Sequence, residues 1–315
     1  MSCCKEIGGY FELECGHNAP YHNNALKFNS GRNALRYMIQ QLAIKKIFVP
    51  YYTCPVVWQA INAENCQIIP YDIDENFTPT TEFQKNDFVL YNNYFGICGN
   101  NVAELAAQYS NLIVDNAQAF YASLQGRAAF YSPRKFFGLP DGGLLIAEDI
   151  AKPNCEQSTS FDKCSHLLKR HDLGAADGYN NFKQNDASLD NAPIFAMSKL
   201  TEALCGNIDY QMAKKIRLQN FAFLHQNLKH INKIATNPAT NDVPMVYPLA
   251  TNNFDLRQKL IANKIFVARY WPVEKGCDCM TSALSDKMAE TIIPLPIDQR
   301  YNIDDMNRIL EIIDV

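Results

Sequence analysis

Short, almost wholly apolar runs alternate with helical patterns through the first two-thirds of this 315-residue chain, and this alternation constrains the fold most. Such runs are typical of strands covered on both faces, and intervening helices favour parallel pairing. The predicted strands are residues 45–50, 67–73, 87–95, 112–117, 127–132 and 142–148. The pattern therefore predicts an α/β fold, with ligands at the carboxyl ends of the strands.

The last third of the chain has a different pattern. Residues 150–193 are polar and weakly periodic, and we expect them to leave the sheet and to cover a site or wrap a neighbour. A helical stretch over about 195–230 follows, then strands at 244–250, 265–272 and 291–296, and a final helix capped by Asn302. We predict a three-layer α/β/α large domain with a mostly parallel central sheet over residues 1–205, and a smaller C-terminal α+β domain over residues 206–315.

Charge and composition argue against several classes of protein. The net charge is −4 and the basic residues are scattered, so we expect no nucleic-acid partner. No apolar run approaches the roughly 20 residues of a membrane-spanning helix, and the first residues lack the apolar core of a secretory signal. Eleven cysteines are an odd count that fits reduced thiols better than a complete disulfide framework. These features predict a cytoplasmic protein with no membrane partner.

Two pairs of cysteines could be read as metal ligands, Cys3 with Cys4 and Cys277 with Cys279. Neither pair has a second Cys or His pair at zinc spacing. We therefore expect no metal site.

Two residues near the predicted sheet edge could carry chemistry. Asp115 lies where an apolar run stops, and as an isolated residue it could equally cap the following segment. Lys135 lies in a turn between two predicted strands, flanked by aromatic residues and glycines. A lysine amine condenses with an aldehyde only when neutral, and an apolar pocket favours the neutral form. The alternative is an ordinary surface lysine.

The segment Ser30-Gly31-Arg32 opens the first amphipathic helix and could bind an anion. Free backbone N–H groups and the helix dipole favour negative charge there, and Arg32 could add a fork of donors. A plain helix start explains the segment nearly as well. In chain order, an anion cradle, an aromatic pair at Tyr51 and Tyr52, a carboxylate and a lysine are what a pyridoxal-phosphate site requires.

The sequence resembles the DegT/DnrJ/StrS sugar aminotransferases, pyridoxal-phosphate enzymes of the aspartate-aminotransferase fold, fold type I. The resemblance rests mainly on DNAQ at 115–118 and on PRKFFGLPDGG at 133–143. Looser similarities follow in the same order at SGRNAL (30–35), FVPYYTCPVVWQAI (48–61), MSKLTEAL (197–204) and IIPLPIDQRYNIDDMNRIL (292–310).

The resemblance implies a role for each candidate site residue. Lys135 would form the Schiff base with pyridoxal 5'-phosphate, Asp115 would keep the pyridine nitrogen protonated, and Gln118 would hydrogen-bond the phenolic oxygen. Contacts to the ring face and the phosphate would come from Tyr52, from the backbone of Gly31 and Arg32, and from Ser132.

The same resemblance implies the reaction and the partners. A small-molecule amino donor, usually glutamate or glutamine, would load the cofactor, and Lys135 would move protons as a keto acceptor is aminated. The acceptor would be a keto sugar, free or nucleotide-linked, or a related small carbonyl compound. A homodimer is implied, because sites of this fold are built at the subunit interface.

The sequence also departs from the family at two positions. Phe130 stands where the family has a phosphate-binding serine, and Ile194 replaces an asparagine that contacts the phosphate of the neighbouring subunit; Asn180, Asn181 or Asn191 could supply that contact instead. These departures keep open a cofactor-binding paralogue that has lost turnover and has a binding or regulatory role. A dehydratase branch carries histidine in place of the lysine, so Lys135 favours transamination. A Rossmann-type nucleotide binder would need a glycine fingerprint after the first strand, which is missing.

Overall fold

The computed structural model describes residues 7–236, 238–272 and 280–314, and a mixed sheet forms its centre. The strands of that sheet are β1 (Leu26–Phe28), β2 (Lys46–Pro50), β3 (Gln67–Tyr71), β4 (Phe88–Asn92), β5 (Asn111–Asp115), β6 (Ala128–Tyr131) and β7 (Gly143–Ala147). They are ordered β1-β7-β6-β5-β4-β2-β3. Strands β2 to β6 pair in parallel, and β7 runs antiparallel to β6 and β1. The predicted mostly parallel sheet is confirmed.

The helices lie largely between these strands and in the last third of the chain. They are α1 (Gly31–Gln41), α2 (Pro55–Asn62), α3 (Gly99–Gln108), α4 (Ser165–Asp172), α5 (Ala175–Ser188), α6 (Lys199–Cys205), α7 (Tyr210–Leu228), α8 (Leu256–Ala262), α9 (Ala283–Thr291) and α10 (Ile303–Ile313). Two further strands, β8 (Val246–Ala250) and β9 (Ile292–Pro296), form a small antiparallel sheet. No helix among the described residues is both long and apolar enough to cross a bilayer.

Alternate residues of the central strands enter two different cores. In β5, Ile113 packs in a cluster with Leu35 and Trp58 of α1 and α2, whereas Leu112 and Val114 pack on the opposite face. A strand buried on both faces needs an almost continuous apolar sequence, and this explains why the central strands could be predicted from their apolar runs. The sheet is therefore the middle of three layers, as predicted.

Side-chain caps fix the starts of α1, which lies at the site, and of α10, whose cap was predicted. The Ser30 side chain accepts a hydrogen bond from the Asn33 N–H at the start of α1. At the start of α10, Asn302 and Asp305 form a reciprocal capping box, so the predicted Asn302 cap is confirmed.

Residues 150–193 leave the sheet as expected, whereas the strand predicted at residues 265–272 needs correction. The polar stretch contains helices α4 and α5, which pack on each other. Residues 265–272 form no strand, although Ile265 and Val267 are buried. The small sheet pairs β8 with β9 alone, so the alternating pattern at 265–272 has no strand partner within the described part of the chain.

The predicted absence of a metal site concerns cysteines that lie outside the described residues, namely Cys3, Cys4, Cys277 and Cys279. Within the described ranges, no group of three or more His, Cys, Asp or Glu side chains is arranged to hold a metal ion. The described cysteines are free thiols.

Candidate active site

A cavity of about 530 Å³ opens at the carboxyl edge of the parallel strands. Its wall combines the end of β5 at Asp115, the residues after β6 and the start of α1. Helix α5 and parts of the last third of the chain complete it. Several sequence-predicted site residues line this one cavity: Gly31, Arg32, Asp115, Ser132 and Lys135.

Asp115 is the last residue of β5 and is only 8% exposed. Its Oδ1 accepts a hydrogen bond of 2.7 Å from the backbone N–H of Ala117. Burial raises the pKa of Asp115, while the positive charge of Lys135 and the Ala117 N–H oppose that rise. The site thus contains a buried carboxylate close enough to Lys135 to feel its charge.

Lys135 ends a short 3-10 turn, Pro133–Lys135, directly after β6. Its side chain lines the cavity but is exposed, which corrects the expectation of an enclosed lysine. The following carbonyl, that of Phe136, accepts hydrogen bonds from Arg217 Nη2 at 3.3 Å and Gln299 Nε2 at 2.8 Å. Two donors from the last third of the chain therefore hold the turn that carries the lysine.

The start of α1 lies directly against the end of β6. A β-carbon on Gly31 would come within 3.4 Å of the Tyr131 carbonyl oxygen and 3.6 Å of Ser132 Cβ. A side chain at position 31 would therefore touch the end of β6, and the backbone beside it is joined to Gly142 by a parallel β-bridge at Ser30. The Arg32 side chain is already paired, with Asp190 at 3.1 Å and Asp186 at 3.7 Å.

Tyr52 and Gln118 are not among the residues that line the cavity. Tyr52 is 1% exposed, and its hydroxyl donates to the Tyr270 carbonyl at 3.0 Å. Its ring is stacked on Tyr94 at 5.6 Å, and its neighbours Cys54 and Tyr270 line the cavity although Tyr52 itself does not. Gln118 Oε1 accepts from the Phe95 N–H at 2.8 Å, whereas its buried Nε2 has no hydrogen-bond partner in the described structure.

The two positions that depart from the family lie in apolar surroundings. Phe130 is 3% exposed and contributes to the cavity wall, while Ile194 packs against the core on the α1 side of the sheet. Asn180, Asn181 and Asn191 do not line the cavity.

Sequence reasoning missed five charged residues of the cavity wall: Arg134, Asp186, Arg217, Asp298 and Arg300. Arg134 directly precedes Lys135, and two adjacent basic residues in the predicted turn could have identified it as a candidate. Asp186 lies on α5, inside the polar stretch whose conformation the sequence did not reveal. Arg217 lies on α7 close to Lys214 and Lys215, and the sequence does not distinguish the one buried basic residue from its neighbours.

The sequence matches no protein-family model. It also matches no curated protein. Solved structures do match, with about nine-tenths of this chain covered. One is a DegT DnrJ EryC1 StrS aminotransferase from Brucella abortus, which is 16% identical with a TM-score of 0.63, covering 92% of this chain and 85% of the other.

Two further matches differ in their chemistry. The sugar aminotransferase CalS13 from Micromonospora echinospora is 15% identical with a TM-score of 0.60, covering 92% of this chain and 86% of the other. The E. coli GDP-4-keto-6-deoxy-D-mannose-3-dehydratase with bound hydrated PLP is 13% identical with a TM-score of 0.63, covering 91% and 87%. The resemblance drawn from the sequence is thus confirmed at the level of the fold.

Proposed function

We propose that this protein is a pyridoxal-phosphate-dependent aminotransferase that transfers an amino group to a keto sugar, free or nucleotide-linked, or to a related small carbonyl compound. The observation that carries the proposal is the meeting of Asp115 and Lys135 on the wall of one cavity at the carboxyl edge of the sheet. The fold shared with sugar aminotransferases supports it.

The residues of the cavity fit this cofactor. Gly31, Arg32 and Ser132 line the cavity at the N-terminal end of α1, where the helix dipole favours an anion. Gln118 follows the cavity-lining Ala117, and its buried Nε2 lacks an acceptor in the described structure. Asp115 is a carboxylate whose pKa is raised by burial, so a cationic partner would favour its ionised form. A protonated ring nitrogen would be that partner.

Bound pyridoxal phosphate would supply an electron sink for the charge that develops beside the amino nitrogen. Asp115 would hold the proton on the ring nitrogen. Gln118 does not line the cavity, and it would have to turn its side chain inward to donate to a ring oxygen. Lys135 would carry the cofactor and then move protons between substrate atoms, a role suited to its exposed position on the cavity wall. The backbone of Gly31 and Arg32, with Ser132, would contact the phosphate.

Several further features belong to this proposal. The amino donor would be glutamate or glutamine, and the protein would act as a homodimer in the cytoplasm, where its free thiols would stay reduced. Residues 1–205 would form the cofactor-binding domain and residues 206–315 the small domain. Amino transfer is preferred to the deoxygenation performed by the E. coli dehydratase, because the sequence retains a lysine at position 135.

A second candidate is a cofactor-binding paralogue without turnover, and Phe130 is the observation that favours it. A phenyl ring on the cavity wall replaces a hydroxyl that would have contacted the phosphate. A weaker phosphate contact would allow binding without efficient catalysis.

The test of cofactor attachment uses Lys135→Ala, with Lys199→Ala as a matched control at an exposed lysine outside the cavity. We expect the purified protein and the control to show a visible absorption band with pyridoxal phosphate, and Lys135→Ala to show none. Borohydride reduction followed by peptide mass spectrometry should place the cofactor on Lys135. Attachment at another lysine would refute the proposal.

A second measurement separates the enzyme from the binder. Glutamate or glutamine should bleach the visible band, and a keto sugar should restore it as the amino sugar forms. A band that no amino donor bleaches would favour the paralogue without turnover, and a product that has lost oxygen without gaining nitrogen would favour deoxygenation.

A further inference from the structure

Two arginines line the cavity at the lysine-bearing turn, and one of them, Arg134, belongs to the turn itself. Arg32 and Arg134 both line the cavity, and their side chains are only 15% and 13% exposed. Arg134 Nε is buried and has no hydrogen-bond partner among the described residues. Unused donors on a buried guanidinium are uncommon, and they mark a place for an anion.

A carboxylate of α5 already lies between these two arginines. Asp186 Oδ1 is 3.3 Å from Arg134 Nη1, and its Oδ2 is 3.7 Å from Arg32 Nη2. The last turn of α5 is fixed to the same loop, because Asn185 Nδ2 donates to the Pro140 carbonyl at 2.8 Å. Asp186 and Asp190 therefore already pair with the two guanidinium groups, and an added anion has to compete with them.

The chemistry of pyridoxal phosphate determines where its phosphate must lie. The ring carries its aldehyde and its phosphate arm on adjacent carbons, and its nitrogen lies opposite the aldehyde. With Asp115 at the nitrogen and Lys135 at the aldehyde, the phosphate falls on the lysine side. Ser132, Arg134 and the start of α1 form the wall on that side.

We propose that Arg134 is the side-chain anchor of the cofactor phosphate, which would displace the Asp186 carboxylate from this guanidinium. This inference rests on the proposed function. A phosphate monoester carries about two negative charges near pH 7 and presents three acceptor oxygens, so it outcompetes a single carboxylate for the guanidinium fork. Arg134 would thereby compensate for the hydroxyl that Phe130 replaces.

The test compares pyridoxal 5'-phosphate with pyridoxal, which lacks the phosphate, in equilibrium titrations of the apoprotein. Arg134→Met should weaken binding of the phosphate form by roughly tenfold to a hundredfold, the loss expected for a charge-assisted hydrogen bond, and leave pyridoxal affinity unchanged. Arg134→Lys should retain part of the preference. Arg300→Met, at another arginine of the same cavity, should leave the preference intact.

Inorganic phosphate and uridine diphosphate serve as competitors. Inorganic phosphate should compete with the cofactor in the unaltered protein and poorly in Arg134→Met, while Asp186→Asn should bind it more tightly. If Arg134 instead holds a substrate diphosphate, Arg134→Met would leave the cofactor preference unchanged and weaken uridine diphosphate binding to the loaded protein, which overturns the inference. Weaker phosphate binding by Asp186→Asn would overturn the competition between Asp186 and the phosphate.

The two proposals fail in different ways. Absence of a Lys135-dependent visible band in the unaltered protein would defeat the proposed function itself. A normal band, together with an unchanged preference for the phosphate form in Arg134→Met, would defeat only the role of Arg134.

Discussion

Asp115 is a carboxylate whose burial favours its neutral form, and this leads to a prediction about both stability and binding. Its pKa is raised in the folded state, so the ionised form destabilises the folded protein at pH values above that pKa. Asp115→Asn should therefore raise the unfolding temperature of the apoprotein near neutral pH. The difference in unfolding temperature between Asp115→Asn and the unaltered apoprotein should shrink at pH values below the ordinary pKa of an aspartate. Asp115 is then protonated in both the folded and the unfolded state.

The same substitution should weaken binding of pyridoxal phosphate by roughly tenfold or more, because an amide cannot neutralise a protonated ring nitrogen. Thermal unfolding of the apoprotein across pH and cofactor titration at neutral pH check the two effects. An apoprotein that is destabilised by Asp115→Asn at neutral pH would show that the carboxylate is structural.

The site residues that could be predicted from the sequence are those fixed by their place at a strand end. Asp115, Ser132 and Lys135 follow or end β5 and β6, and the topology brings them together. Tyr52 could not be placed, because the direction of one side chain after β2 depends on its packing against Tyr94 and Tyr270. The role of Arg134 could not be predicted from the sequence, because its ion pair with Asp186 depends on where the fold places α5.

Elements were predictable where their pattern was determined by burial on two faces. Strands β2 to β7 have apolar centres and were found, whereas β1 has only three residues and gives no periodic signal. The alternating residues 265–272 mimic a strand, but a strand also requires a hydrogen-bonded neighbour, which sequence cannot supply. Helix α5 is polar because it lies across the outside of the site, so its amphipathic signal is weak.

Helix α7 positions the lysine turn through Arg217, a side chain that is 1% exposed. Its guanidinium lies 4.5 Å from the Phe136 ring centre and donates to the carbonyls of Phe136 and Met245. Arg217→Met should lower the free energy of unfolding by about 2–4 kcal/mol, since the Met245 carbonyl loses a donor in a buried place. Lys215→Met, at an exposed position of the same helix, should change it little.

Denaturant unfolding followed by circular dichroism measures both variants. An Arg217→Met protein as stable as Lys215→Met would show that the Gln299 donor alone is enough to hold the Phe136 carbonyl.

At the scale of the whole molecule, the residues after position 206 share a core with the central sheet. Tyr210 packs against Phe120 and Phe137 at ring distances of 5.8 and 5.4 Å, and the Met245 N–H donates to the Phe95 carbonyl at 2.8 Å. One continuous cluster contains Leu112 of the sheet and Leu295 of β9. The residues proposed from the sequence as a small domain therefore pack directly against the central sheet and are not separated from it by a loose linker.

A shared core predicts that both parts unfold together, and the two tryptophans allow this to be measured. Trp58 is buried on α2, and Trp271 lies near Tyr52 in the last third of the chain. In Trp271→Phe the fluorescence reports the sheet side, and in Trp58→Phe it reports the C-terminal part. Since neither part can bury its apolar surface alone, the fluorescence midpoint in each apoprotein should coincide with that variant's circular dichroism midpoint. A fluorescence midpoint for Trp271 at lower denaturant than the loss of helix would instead show a small domain that opens independently of the cofactor-binding sheet.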